Sequence, residues 1–334
     1  MKITIKDIAQ MAGVSIATVS RVINNSKPVN HDVRIRVLKA MEQTNFLPNA
    51  MARNLAKKES LLLGVMVPEV KNTVLDDLIN GINQVSRLYG YNIMLSLTAG
   101  TLENELHYFN MFREIQADGI ILASENLKEE LVKGIKVSNI PLILVGRDSL
   151  DTVPTVHVDN VTAAYEAVTY LIQQGHRKIA MLRVRSGDIA SGDHRYQGYV
   201  RALNEAGISI YKDWVVESGI SVEDGITSMR KICEAESMPT AIFCATDRIA
   251  IGAMNYLLEI GLRVPEDVSI FGFDGIDMSS FIRPKLSTVK YSAEEIGMTA
   301  ARNLIKLIRG EEISSRHWIV SHYLENRDSV CTLN

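Results

Sequence analysis

Ile16, Ala17, Ser20 and Arg21 fall on one side of residues 15–24, whose other side carries Val19, Val22 and Ile23. The i, i+3, i+4 spacing of those three apolar residues predicts a short helix with one buried stripe. An arginine on the open side has the donor fork to read guanine, and an isoleucine or alanine beside it can meet a thymine methyl. Simple solvation would account for Ser20 and Arg21 but leaves Ile16 exposed to water at a cost. A second set of polar residues follows apolar runs further along: residues 72–75, Arg147 with Asp148, residues 183–188 with Arg183 and Arg185, Thr246 with Asp247, and Asp274. Charged and hydroxyl groups just past buried strands suit hydrogen bonding to a small polar ligand. Bland roles stand beside these: Asp274 could cap a short helix, Asp247 could pair with a nearby basic residue across the cleft, and His176 could hold a strand-entry turn.

Local signatures of catalysis are missing. None of the 21 glycines lies two or four positions from another, which excludes the dinucleotide fingerprint, the kinase glycine loop and the Gly-x-Ser-x-Gly elbow. No glycine precedes a lysine, no Cys-x-x-Cys occurs and no histidine precedes a glutamate, so Walker A and the commonest zinc patterns are absent. No cofactor and no metal is implied. Cys233, Cys244 and Cys331 are too few and scattered for a disulfide framework, which fits a reducing cytoplasm. The start of the chain lacks a signal-peptide pattern, and no apolar run reaches the roughly 18 residues of a membrane span.

The elements that must position these groups differ along the chain. In residues 1–46, Thr4 can cap a first helix, Gly13 can end it and Ser15 can cap the second. A third helix over about 30–45 has Val33, Val37, Leu38 and Met41 as its stripe. Two short helices about a tight glycine turn, followed by a third, form a helix-turn-helix unit. Residues 47–60 form a linker with a short helix-capable piece at 50–56. The first 60 residues hold ten basic and four acidic side chains, whereas the rest hold 26 and 35, so the overall charge of −3 hides a basic head on an acidic body. That asymmetry suggests a polyanionic partner for the head alone.

From residue 61 onward, short apolar runs alternate with helix-length segments, as parallel strands in βαβ units do. The runs fall into two sets, 61–158 and 179–273, so the fold class is α/β with two lobes and parallel sheets. Late strands at 289–291 and 318–324, with a helix at 293–309 between them, suggest that the chain returns to each lobe. The expected lobes are 61–158 plus 290–317 and 159–289 plus 318–334. Open parallel sheets bind ligands beyond the carboxyl ends of their strands, here between the lobes.

Residues 7–9, 12–15, 18–22 and 24, then Pro48-Asn49, Ala52-Arg53 and Leu55-Ala56, resemble the headpiece and hinge of the LacI/GalR family of bacterial transcription regulators. Residues 158–160, 175–179, Arg195 with Gly198-Tyr199, Asp247, 264–269, 272–274 and 286–288 extend the resemblance over nearly the whole chain. It implies a periplasmic-binding-protein-like body that closes on a small carbohydrate-like effector. It also implies a homodimer on double-stranded operator DNA, a repressor in action and neither enzyme nor membrane protein. DNA contacts would come from Thr4, Ser15, Ile16, Ala17, Thr18, Ser20, Arg21 and Asn24, and in the hinge from Asn49, Ala52, Arg53 and Leu55, the last as a minor-groove wedge. Effector contacts would come from Asn72, Arg147, Ser191, Arg195, Thr246 and Asp274. The chain departs from the family at residues 72–75, at Ile220 where a stacking aromatic is common, and at Thr246 where asparagine is common. With Arg183 and Arg185 nearby, these departures raise an anionic effector, a sugar acid or sugar phosphate, as an alternative, beside a non-sugar one. A two-lobed solute-binding protein or sugar-processing enzyme is the rival class, and the basic head counts against it.

Overall fold

The computed structural model describes residues 3–24, 27–46, 60–69, 73–124, 127–147 and 153–333. These form two compact units, divided between Leu61 and Leu62.

The first unit is three helices: α1 (Ile5–Ala12), α2 (Ile16–Asn24) and α3 (His31–Gln43). At the start of α1, the backbone N–H and hydroxyl of Thr4 both donate to Asp7 (2.8 and 2.7 Å). Gly13 then adopts φ +66°, the left-handed conformation that ends a helix without a Cβ clash. Ser15 restarts the chain by accepting from the Thr18 amide (3.1 Å), and Asn30 caps α3 by accepting from Asp32 (2.9 Å). Ile8, Ala12, Val19, Val22, Val37 and Ala40 form the core. The expected α3 stripe is corrected in one place: Leu38 is 48% exposed, and the buried positions of α3 are Val37 and Ala40.

The second unit holds two six-stranded sheets. In the first, β1 (Leu62–Val67), β2 (Asn92–Leu97), β3 (Gly119–Ala123), β4 (Leu142–Val145) and β5 (Thr155–Val158) are parallel and joined by α4 (Thr73–Leu88), α5 (Leu102–Glu114) and α6 (Glu129–Val137). The second contains β6 (Ile179–Val184), β7 (Val215–Ser218), β8 (Ala241–Cys244), β9 (Ser269–Asp274) and β10 (Ser287–Tyr291). Its connecting helices are α7 (Asn160–Gln173), α8 (Arg195–Glu205), α9 (Val222–Cys233), α10 (Asp247–Glu259) and the short α11 (Met278–Phe281). A widened π turn, Ile189–His194, leads into α8. The interior strands β1, β3, β4, β6, β8 and β9 are largely buried because helices cover both faces, whereas the edge strand β2 leaves Met94, Leu95 and Leu97 exposed.

The late segment is divided more finely than its hydropathy suggests. β10 belongs to the second sheet, while α12 (Ala293–Ile308) packs on α4 and the first sheet. Gly81 and Gly297 allow that packing: a Cβ on either would lie 2.1 Å from a backbone oxygen of the other helix. The run expected as one strand over 318–324 is two, β11 (His317–Val320) beside β5 and β12 (His322–Glu325) antiparallel to β10. The return to the second sheet therefore falls at Ser321, and Trp318, Ile319 and Val320 pair in the first sheet rather than the second. His317 and His322 end on strands of different sheets. Among the described residues, no helix is long and apolar enough to cross a membrane, and no cluster of histidine, cysteine or carboxylate could hold a metal ion.

Candidate functional site

Two surfaces carry the residues singled out in the sequence. On the first unit, α2 turns Val19 and Val22 into the core, which leaves Ile16 (48% exposed), Ala17, Arg21 and Asn24 outward. The Asn24 amide donates to Ser20 Oγ (3.1 Å) and the Ser15 and Thr18 hydroxyls lie 2.9 Å apart, so the polar rim of the helix is partly pre-ordered. Thr4 is exposed at the start of α1. Asn49, Ala52, Arg53 and Leu55 lie outside the described residues, as does Asn72.

On the second unit, a cavity of about 170 Å³ lies between the carboxyl ends of the two sheets. Arg147, Ser191, Arg195, Thr246 and Asp274 all line it, brought together from four separate segments, with Ser191 and Arg195 on the continuous π turn and α8. Arg195 begins α8 and is almost fully buried. Its Nε donates to Asn160 Oδ1 (2.9 Å), and Nη1 reaches both the Ala245 carbonyl and Asp274 Oδ1, the latter at 3.1 Å. The guanidinium also covers the Phe273 ring, 3.6 Å from its centroid. Asp274 ends β9 with φ +116°, a conformation that costs a non-glycine residue about 1–3 kcal/mol and is held by its surroundings. Besides Arg195, the Tyr291 hydroxyl donates to its carboxylate (3.1 Å). Burial pushes the Asp274 carboxyl above the usual range, against the pull of Arg195 and Tyr291. Thr246 caps α10 by accepting from Ile249 (3.2 Å), which leaves its hydroxyl proton free to serve a ligand. Ser191 is fixed in the π turn, where its amide donates to Asp188 (2.9 Å).

Asp247 does not line the cleft. It is fully buried beneath it, where it accepts from Thr288 Oγ1 (2.6 Å) and the Ile276 amide (2.9 Å), so it braces the loop that follows Asp274. Arg183 and Arg185 are corrected as well. Arg183 pairs with Asp193 (2.8 Å), lies over the Tyr196 ring (4.4 Å) and faces a separate groove beside Lys212, while Arg185 is exposed. Asp193 on the π turn and Tyr196 on α8 hold the largely buried Arg183 away from the cleft, so the arginine cluster inferred from strand spacing does not form. His176 is buried and bridges Thr240 Oγ1 (3.0 Å) and the Cys331 carbonyl (3.1 Å), which pins the C-terminal segment.

The sequence reading missed Ser124, Arg248 and Tyr291, which also line the cleft. Ser124 follows β3 and Tyr291 ends β10, so the rule that ligands sit beyond strand carboxyl ends would have found both.

Residues 4–49 match the profile described as "Bacterial regulatory proteins, lacI family", and residues 60–328 match "Periplasmic binding proteins and sugar binding domain of LacI family". The chain belongs to the LacI family. Its relatives include catabolite control protein A of Priestia megaterium, 37% identical over 99% of this chain and 100% of that one. The transcriptional repressor PurR of Vibrio vulnificus is 33% identical over 99% of each chain. A crystal structure of the lac repressor dimer bound to operator and the anti-inducer ONPF superposes with a TM-score of 0.89 at 26% identity, covering 99% of this chain and 100% of that one. As a LacI-family member, the chain is a DNA-binding transcription regulator with a ligand-binding body rather than an enzyme.

Proposed function

We propose that this LacI-family protein is a cytoplasmic repressor that binds a two-fold-symmetric operator as a homodimer and is controlled by a small polyhydroxylated effector held between its lobes. The observation that carries the effector reading is the buried Arg195–Asp274 pair at the floor of the cleft. An arginine locked by Asn160, Ala245 and Asp274 still presents donors in a fixed plane, and the carboxylate beside it accepts from hydroxyls, which is the chemistry that vicinal diols need. Arg147, Ser191 and Thr246 stand around that pair as further hydrogen-bonding groups.

On the head, Arg21, Ile16 and Ala17 read base edges in the major groove, with Ser15, Thr18, Ser20, Asn24 and Thr4 on the flanking backbone. The hinge residues Asn49, Ala52, Arg53 and Leu55 would order on DNA and wedge the minor groove. One helix-turn-helix covers only half of an inverted repeat, so the reading requires a dimer. The lac repressor structure with which the chain superposes is a dimer on its operator.

Mass spectrometry of small molecules released from protein purified under native conditions tests the effector reading. A polyol or sugar derivative, retained by wild type and lost with Asp274→Ala, is expected. A hydrophobic ligand retained equally by both would contradict it.

A further inference from the structure

Beside the effector cleft lies a second cavity, of about 470 Å³, that the effector reading does not use. Val74, Asp274, Ile276 and Tyr291 line both cavities, so these side chains form the partition between them. The largest is Tyr291, and it is held at both ends. Its hydroxyl donates to Asp274 Oδ1 (3.1 Å), and its ring leans on the fully buried Phe273, with 6.2 Å between centroids. Arg195 fixes both of those supports, through its ion pair with Asp274 and its place over the Phe273 ring. Ile276 is tied down as well, because its amide donates to the buried Asp247 (2.9 Å). Val74, at the start of α4, completes the partition from the other lobe. Beyond it, Asp76, Asp77, Asp277, Lys290 and Glu294 line the second cavity, a polar space that suits hydroxyl groups better than an apolar substituent.

We propose that Tyr291 is a specificity-determining residue: its ring is the wall that ends the effector cleft on the side of the second cavity and keeps a second sugar ring out of the polar space behind it. The inference rests on the effector reading of the cleft given above. With its hydroxyl and its ring both engaged, the side chain cannot swing aside for a longer ligand without giving up the bond to Asp274. Truncating a packed side chain leaves a space that its neighbours refill only in part. Tyr291→Ala therefore joins the cleft to the second cavity. Tyr291→Phe keeps the wall and removes only the hydrogen bond to Asp274, so the two variants separate a wall from a hydrogen-bonding support.

The test uses the full-length protein, dialysed and then incubated with an equimolar pool of glucose, galactose, cellobiose and lactose. Native mass spectrometry reads the retained ligand by size class, one ring or two, in wild type, Tyr291→Ala and Tyr291→Phe. The expected result is a ratio of two-ring to one-ring ligand at least tenfold higher in Tyr291→Ala than in wild type, with the ratio unchanged in Tyr291→Phe. An unchanged ratio in Tyr291→Ala, or an equal rise in Tyr291→Phe, overturns the inference. Retention of no sugar by any of the three rejects the carbohydrate reading of the cleft instead. The crystal structure of Tyr291→Ala then decides the role of the wall: one continuous cavity is expected, and a partition re-formed by Val74 and Ile276 overturns it. If Tyr291→Ala does not fold, Tyr291→Leu takes its place, since it removes the phenol ring yet still packs on Phe273, and the same rise in the ratio is expected.

Discussion

Arg21 illustrates how one side chain separates sequence reading from mere attraction to DNA. It sits on the exposed face of α2 with Ile16 and Ala17, set there by the burial of Val19 and Val22 on the other face. If its fork reaches a guanine, Arg21→Ala should cost about 1–3 kcal/mol at the cognate base pair and leave non-specific binding mostly intact. Anisotropy titrations against operator variants at fixed salt measure this directly, and uniform weakening on every sequence would show that Arg21 contacts phosphate only. These residues were legible without coordinates because a helical period of 3.6 fixes which side chains oppose the apolar stripe. Arg183 was not legible in the same way. Strand alternation places a side chain on a face, but it cannot say that Tyr196 and Asp193 wait there to capture a guanidinium. Ser124 escaped notice because it belongs to no motif and matters only once the fold brings the end of β3 to the cleft.

At the scale of elements, the parallel strands were readable as continuous apolar runs. The split of residues 317–325 into β11 and β12 was not, because nothing in local hydropathy marks Ser321 as the point where the chain changes sheet. Another element-scale feature is the C-terminal segment, docked on the second sheet through Ser329 and Cys331 and on the end of α7 through Leu333, whose amide donates to Gln174. His176 holds it there in the neutral form, since burial pushes the imidazole below its ordinary value. The folded state then binds fewer protons than the unfolded one below about pH 6.5, so this contribution to stability is present above that pH and is lost as the pH falls. Amide exchange at Cys331 and Leu333 should therefore accelerate between pH 7 and 5 beyond the intrinsic trend, and His176→Gln should flatten that dependence. An unchanged protection pattern in wild type would show that the histidine does not govern the docking.

For the whole molecule, a basic three-helix head and a two-lobed body divide the labour: one unit meets a polyanion, the other a small ligand. Regulation then requires that the effector bind the DNA-competent and DNA-incompetent forms with different affinity, since equal affinity shifts nothing. A dimer is the smallest assembly that places two α2 helices on an inverted repeat, and sedimentation at micromolar concentration should show one without a larger stable species. The central claim, that this chain is a two-fold-symmetric reader of duplex DNA, is met most directly by selecting bound sequences from a random duplex library with the full-length protein. The account predicts enrichment of an inverted repeat with two equivalent half-sites. The Arg21→Ala variant should relax the preference at one position in each half-site, and Leu55→Ala should weaken binding to the intact repeat. Enrichment of a motif without two-fold symmetry, or recovery of the same unselected sequences at every salt concentration, would contradict it.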